Sequence, residues 1–243
     1  MTRNQLWKIV LADEMLPYPI KFFKKESIVQ HSFSPYQNNG GTTVTISEDD
    51  YSILASDTRI ISGFSIPSRE NTTLVKISNN ILLSASGMRA DMVVLQEEFK
   101  RTVAMWETEN KKNTPISSGA HVLSSILYSR RFFPFYTFNV ITGKEFNGKI
   151  KTFSFDAIGS FESCFATCLG TGQFFIQPIL DSHVKSNSNH KESKKNKILK
   201  NLILIKHLFL KASKRNIEIG DGMQIFILTK KGILIENSIL RLD

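Results

Sequence analysis

Apolar and polar residues alternate singly through Thr43-Val44-Thr45-Ile46, a period of two that sends successive side chains to opposite faces of a β-strand. A polar turn at Ser47-Glu48-Asp49-Asp50 leads into a second strand over 51–56, so the pair predicts an antiparallel hairpin. Segments 74–77 and 81–86, joined through Asn79-Asn80, repeat that arrangement. The period then lengthens. Met92, Leu95, Phe99, Val103 and Trp106 recur every three or four residues, and Ala120, Leu123, Ile126 and Leu127 follow within 117–129, predicting two helices with one apolar stripe each. Strand patterns return at 135–142 and 150–155 around an Asn147-Gly148 turn, with 166–169 as a further edge. Helices are predicted near 174–181 and 198–214, and a last hairpin joins 223–229 to 233–238 around Lys230-Lys231-Gly232. The second of these helices holds so many apolar residues that it is expected to pack on more than one side.

Strands that arrive in hairpins argue against a doubly wound βαβ fold, in which they arrive singly between helices. The order predicts an α+β chain, a four-layer α-β-β-α sandwich of two antiparallel sheets with helix pairs outside. Residues 1–32 show no sustained periodicity, and Pro17, Pro19 and a lysine patch at 21–25 read as a leader preceding one domain over 33–243.

Composition narrows the partners. With 41% hydrophobic residues the chain can bury a sizeable core, and no apolar run approaches bilayer length, so no membrane partner is expected. The formal charge of +9 suggests an anionic partner until its distribution is read. Six lysines stand against Glu192 alone between Lys185 and Lys200, among Ser and Asn and without aromatics to stack on bases. A solvated, mobile loop is expected there, and no nucleic acid. Cys164 and Cys168 are too few for a disulfide framework or a structural zinc site, which predicts a reducing compartment and no metal or other cofactor. On one strand over 164–169 they would share a face.

Few motifs carry chemistry. Residues 143–150 nearly match a phosphate-binding loop, but Ile150 replaces the metal-binding hydroxyl and a hairpin turn replaces the helix start. No nucleophile-elbow turn occurs, and His31, His121, His183, His190 and His207 are scattered. Asp57 and Arg59, two apart at a strand end, are expected to form an ion pair at a loop entrance.

Several segments, in order, resemble proteasome beta subunits. They are Gly40-Gly41-Thr42-Thr43, Asp57-Thr58-Arg59, Ser84-Ala85-Ser86-Gly87 with Ala90-Asp91, the run from Phe153 to Ser160, and Gly220-Asp221-Gly222. Phe33-Ser34-Pro35-Tyr36 and the stretch from Leu127 to Pro134 look like the non-catalytic type-1 kind in particular. The resemblance covers roughly residues 33–243 and implies an N-terminal nucleophile hydrolase-like fold. Catalytic members use an N-terminal threonine sixteen residues before the Asp of the triplet, a frame that places Gly41 at the nucleophile position. The same frame puts Thr73 at the lysine position, Asn216 and Ile219 at later supporting positions, and Thr171 in place of a serine, with Asp57 retained. The resemblance therefore implies a non-catalytic subunit of a threonine-type protease, held in a hetero-oligomer with other beta and alpha subunits. It implies a cytoplasmic and nuclear particle that degrades ubiquitin-tagged proteins. The alternative is an active threonine peptidase with Thr42 as nucleophile.

Overall fold

The computed structural model describes residues 34–187 and 193–240, without the side chains of 184–187; the expected leader lies outside them. One sheet joins β1 (Thr42–Glu48), β2 (Tyr51–Asp57), β10 (Ala166–Gly170), β11 (Gly222–Thr229) and β12 (Gly232–Ile239) in the order β10-β1-β2-β11-β12. The other runs β5 (Leu74–Lys76), β6 (Ile81–Gly87), β7 (Thr137–Lys144), β8 (Ile150–Phe155) and β9 (Phe161–Ser163) in sequence order. A two-stranded ribbon, β3 (Ile60–Ser62) with β4 (Ser65–Ser68), stands apart. Helices α1 (Arg89–Asn110) and α2 (Ile116–Ser129) follow β6, and α3 (Gln173–Asn187) and α4 (Lys194–Ser213) follow β10.

Three apolar clusters separate the four layers. Val44, Ile46, Ile53 and Ala55 join Ile176, Leu180, Leu208 and Phe209 between the first sheet and the α3/α4 pair. Leu83 and Ile141 join Leu95, Phe99 and Leu123 under α1 and α2. Leu54, Leu82, Val140, Phe226 and Leu228 fill the space between the sheets. The period-two pattern explains the split, because Ile53 and Ala55 face the helices while Leu54 faces the other sheet.

Thr43 and Thr45 are as buried as Val44 between them. Between the sheets the Thr43 and Ser84 hydroxyls lie 2.7 Å apart, and Thr152 donates to Thr142 at 2.9 Å. Paired hydroxyls satisfy one another, so a polar stripe can serve as an interior face at little cost.

Several expectations need correction. The lysine-rich 185–200 segment is helical on both sides of residues 188–192, which lie outside the described set. Lys197 donates to Glu48 at 3.2 Å and Lys194 stands 3.8 Å from Asp50, so the acidic β1–β2 turn draws the helix start onto the body. The same helix buries one face only, leaving Leu199, Ile203 and Leu210 exposed. Cys164 lies between β9 and β10, its N–H donating to the Thr152 carbonyl, and so is not on a strand with Cys168. The β1–β2 turn shortens to Asp49-Asp50 because Ser47 and Glu48 still pair with Ser52 and Tyr51.

Candidate functional site

The start of β1 meets the end of β2 and the α3 approach at a seam of glycines. Gly41 has φ +89, and Gly170 has φ +87 with its Cα so close to β1 that an added Cβ would sit 2.0 Å from the Gly41 carbonyl oxygen. Only glycine combines that backbone with that approach. The Thr171 N–H donates to the same Gly41 oxygen at 3.2 Å, closing the seam.

The preceding segment is stitched down by one residue. Asn39 donates its N–H to Gly87 O at 3.0 Å and accepts the Ile61 N–H at 3.1 Å. Its side chain donates to Ile61 O at 2.9 Å and accepts the Arg89 N–H at 2.8 Å. Asn39 thus ties together the end of β6, the start of α1 and β3. Nothing in its local sequence signals this, since each partner is distant along the chain.

Thr42 follows the seam and is wholly interior, at 0% exposure. Its N–H donates to Asp57 Oδ1 at 2.8 Å. Its hydroxyl accepts the Gly172 N–H at 3.0 Å and lies 3.1 Å from the Thr171 hydroxyl. Asn216 reaches the Thr171 carbonyl at 3.5 Å, whereas Ile219 is buried in the apolar cluster beneath α4. Thr73 bonds the Ser56 hydroxyl, one residue before Asp57. The chain thus brings Gly41, Thr42, Asp57 and Thr171 together, with Thr73 reaching them through Ser56.

Asp57 is left without a compensating cation. Burial pushes its carboxyl up to about 8, opposed in part by the Thr42 N–H and the charge of Arg59. Its Oδ2 is buried with no hydrogen-bond partner among the described residues. Arg59 does not pair with it, contrary to the expectation from spacing. Arg59 instead grips Asp221 through Nε at 2.7 Å and Nη2 at 3.0 Å, and donates from Nη1 to the Ile217 carbonyl at 2.6 Å. Asp57 points at Thr42, and the two-pronged geometry at Asp221 suits a guanidinium better than an end-on contact. Arg69 adds a second pairing to Asp221 at 2.5 Å. Burial works against the Asp221 carboxylate, but the hydrogen bonds and charges of both arginines outweigh it and hold its pKa below the ordinary value. Sequence reasoning missed this clamp; only the Gly220-Asp221-Gly222 segment hinted at it.

Burial raises the thiol pKa of Cys164, to about 11, and of Cys168, so neither offers a ready thiolate. The segment 143–150 forms the β7–β8 hairpin, Lys144 pairing with Ile150, with no helix to receive a phosphate. Beside Gly40 and Gly170 opens a cleft of about 330 Å3 walled by Tyr136, Phe138, Phe174 and Glu218.

Comparison with known proteins points one way. The pattern of the family described as Proteasome subunit matches residues 37–220. The chain is 38% identical over 224 residues to proteasome subunit beta type-1 of Arabidopsis thaliana, covering 88% of this chain and 99% of that protein. It is 35% identical over 216 residues to proteasome subunit beta type-1-B of Carassius auratus, covering 88% and 91%. It is also 35% identical over 225 residues to proteasome subunit beta type-6 of Saccharomyces cerevisiae, covering 88% and 93%. A family match over residues 37–220, together with relatives at 35–38% identity over 88% of the chain, shows that the chain belongs to the proteasome subunit family, in its beta branch.

Proposed function

We propose that the chain is a non-catalytic structural subunit of the 20S proteasome beta ring, contributing to assembly and to the walls of the chamber without cutting peptides. The observation that carries this reading is what surrounds Thr42: its hydroxyl accepts the Gly172 N–H and lies against the Thr171 hydroxyl, and Thr73, bonded to Ser56, stands where the resemblance calls for an activating lysine. The residue before Thr42, Gly41, has no hydroxyl, and Thr73 offers no cation to depress a nucleophile's proton affinity. Neighbouring alpha and beta subunits are the partners this reading requires. The compartments are the cytoplasm and nucleus, and the particle's other subunits carry out the ubiquitin-dependent degradation.

The test is a Thr42→Ala chain assembled into its parent particle. All peptidase activities should equal those of the unaltered particle. Loss of any one of them in a correctly assembled particle refutes the reading.

A further inference from the structure

The end of the sandwich farthest from the glycine seam is basic. β1 starts at the seam with Thr42 and ends at Glu48, so the β1–β2 turn stands about 20 Å from the seam at ~3.3 Å per residue. Three other pieces of chain close on that turn. Lys149, on the β7–β8 hairpin, donates to Asp49 at 2.9 Å, and the Ile150 N–H donates to the Asp49 carbonyl at 2.9 Å. Lys230, at the β11–β12 turn, pairs with Asp50, and Lys194, opening α4, stands 3.8 Å from the same carboxylate. Lys144 reaches from β7 to the Lys230 carbonyl at 3.3 Å. Lys195, Lys197 and Lys231 complete the group, seven lysines against the carboxylates of Glu48, Asp49 and Asp50. Glu145 of the same hairpin faces elsewhere, bonded to Ser117 on α2 and 3.4 Å from Lys151.

Pairing within the group leaves a surplus of cations. Asp50 already holds two lysines, and Glu48 is taken by Lys197. Lys195 and Lys231 are exposed and form no ion pair among the described residues, and Lys144 is bonded to a carbonyl rather than a carboxylate. Helix stability does not call for the surplus either. Lys194, Lys195 and Lys197 all fall in the first turn of α4, the end at which the backbone dipole disfavours cations. Like charges crowded on one surface repel one another until an anion neutralises them.

We infer that this end of the molecule binds an extended acidic polypeptide segment, its Asp and Glu carboxylates shared among Lys144, Lys195, Lys231 and their lysine neighbours. The cations stand on long flexible stems from three separate pieces of chain, which suits a partner that bends to meet them. None of these stretches contains an arginine, and Phe146 is the one aromatic residue at their tips. Nucleic acid is gripped by planar guanidinium forks and successive stacking platforms, whereas ammonium groups are hydrated point charges that take a carboxylate from any side. A permanent protein neighbour fits no better, because lysine is depleted from the dry cores of such interfaces. The surface lies apart from Thr42 and Asp57, so the inference does not depend on the non-catalytic reading.

Fluorescent polyglutamate of about 20 residues, titrated against the full chain and followed by anisotropy, tests it. The peptide should bind at low salt, and its affinity should fall about tenfold or more between about 50 and about 200 mM NaCl. Lys195→Glu with Lys231→Glu should weaken binding about tenfold or more. Lys100→Glu with Lys112→Glu, the same change in net charge at exposed positions on and just after α1, should shift it by less than about threefold. Melting temperatures should match the parent, since all four side chains are exposed. Should the charge reversal lower the melting temperature, Lys195→Gln with Lys231→Gln decides: binding about threefold weaker or more supports the inference, and unchanged binding overturns it. No binding at low salt, equal losses in the two charge-reversed variants, or tighter binding of polyuridine of the same length than of polyglutamate also overturns it.

Discussion

Asp57 should make the folded chain less stable as the solution becomes more alkaline. Its carboxyl is moved from an ordinary value of 3.8 up to about 8, because burial penalises the charged form more than the Thr42 N–H and Arg59 favour it. A carboxyl that ionises less readily folded than unfolded makes the folded state the greater proton binder between those two values. Its contribution is complete below the unfolded pKa, declines by about 1.4 kcal/mol per pH unit above it, and is exhausted once pH passes the folded pKa. The whole effect is on the order of 5 kcal/mol, and the portion between pH 5 and pH 7 is about 3 kcal/mol. Asp57→Asn keeps an oxygen for the Thr42 N–H and mimics the protonated acid, so it should erase this dependence. Denaturant unfolding of the free chain and the variant from pH 5 to pH 8 measures it. The variant should gain on the parent by about 3 kcal/mol across pH 5 to 7, cancelling whatever other groups contribute to both. Parallel stability profiles would refute the claim that Asp57 is neutral in the folded chain.

Gly41→Thr should yield no peptidase and a loss of about 1–3 kcal/mol, because φ +89 strains a β-branched residue even though the nearest atom, Ser86 Cβ, would lie at an ordinary 3.5 Å. A fluorogenic peptide assay and a melting curve read both, and new peptidase activity would contradict the proposed function. Arg59→Ala should destabilise the chain by about 3 kcal/mol, the low end for a broken buried pair because Arg69 still reaches Asp221; an unchanged melting temperature would show the clamp to be dispensable. Residues upstream of about Phe33 should be missing from chains recovered from mature particles, with the terminus well before Gly41. Mass spectrometry finding Met1 intact would end that expectation, and a terminus at Thr42 would favour the active alternative.

The sandwich was legible because its long elements obey one period each. Met92, Leu95, Phe99 and Val103 read as a helix stripe and are buried as one, and the final hairpin turns where Lys230-Lys231-Gly232 predicts. Three-residue strands such as β3 and β9 are too short to show a period and were not legible. The lysine-rich stretch misled for a physical reason: its composition is that of a solvated loop, but lysine is also a good helix former, and Glu48 and Asp50 wait on the adjoining turn. At the site, the frame taken from the resemblance singled out Gly41, Thr42, Asp57 and Thr73, and the fold brings them near one another. The partner of Arg59 was not, because Asp221 approaches it only through the closed fold. The Asn39 stitches join residues that no local pattern connects.

The order of strands also has a consequence for the timing of synthesis. Every strand from β5 to β9, with α1 and α2, comes from one unbroken stretch, and each after β5 pairs with its predecessor in sequence. That half can assemble as it leaves the ribosome, its one long closure being the helix-bearing connection from β6 to β7. The β1–β2 hairpin emerges earlier but sits in the middle of the other sheet, where Val44 pairs with Cys168 and Ile53 with Ile227. At about 5–20 residues per second, the last of these partners follows it by roughly 10–30 s. Until β10 emerges both edges of the hairpin are open, the β2 edge stays open until β11 follows, and the side chains destined for α3 and α4 face water until those helices arrive. The first strands made are the last to be flanked, so they are where a nascent chain of this topology most needs a holding chaperone.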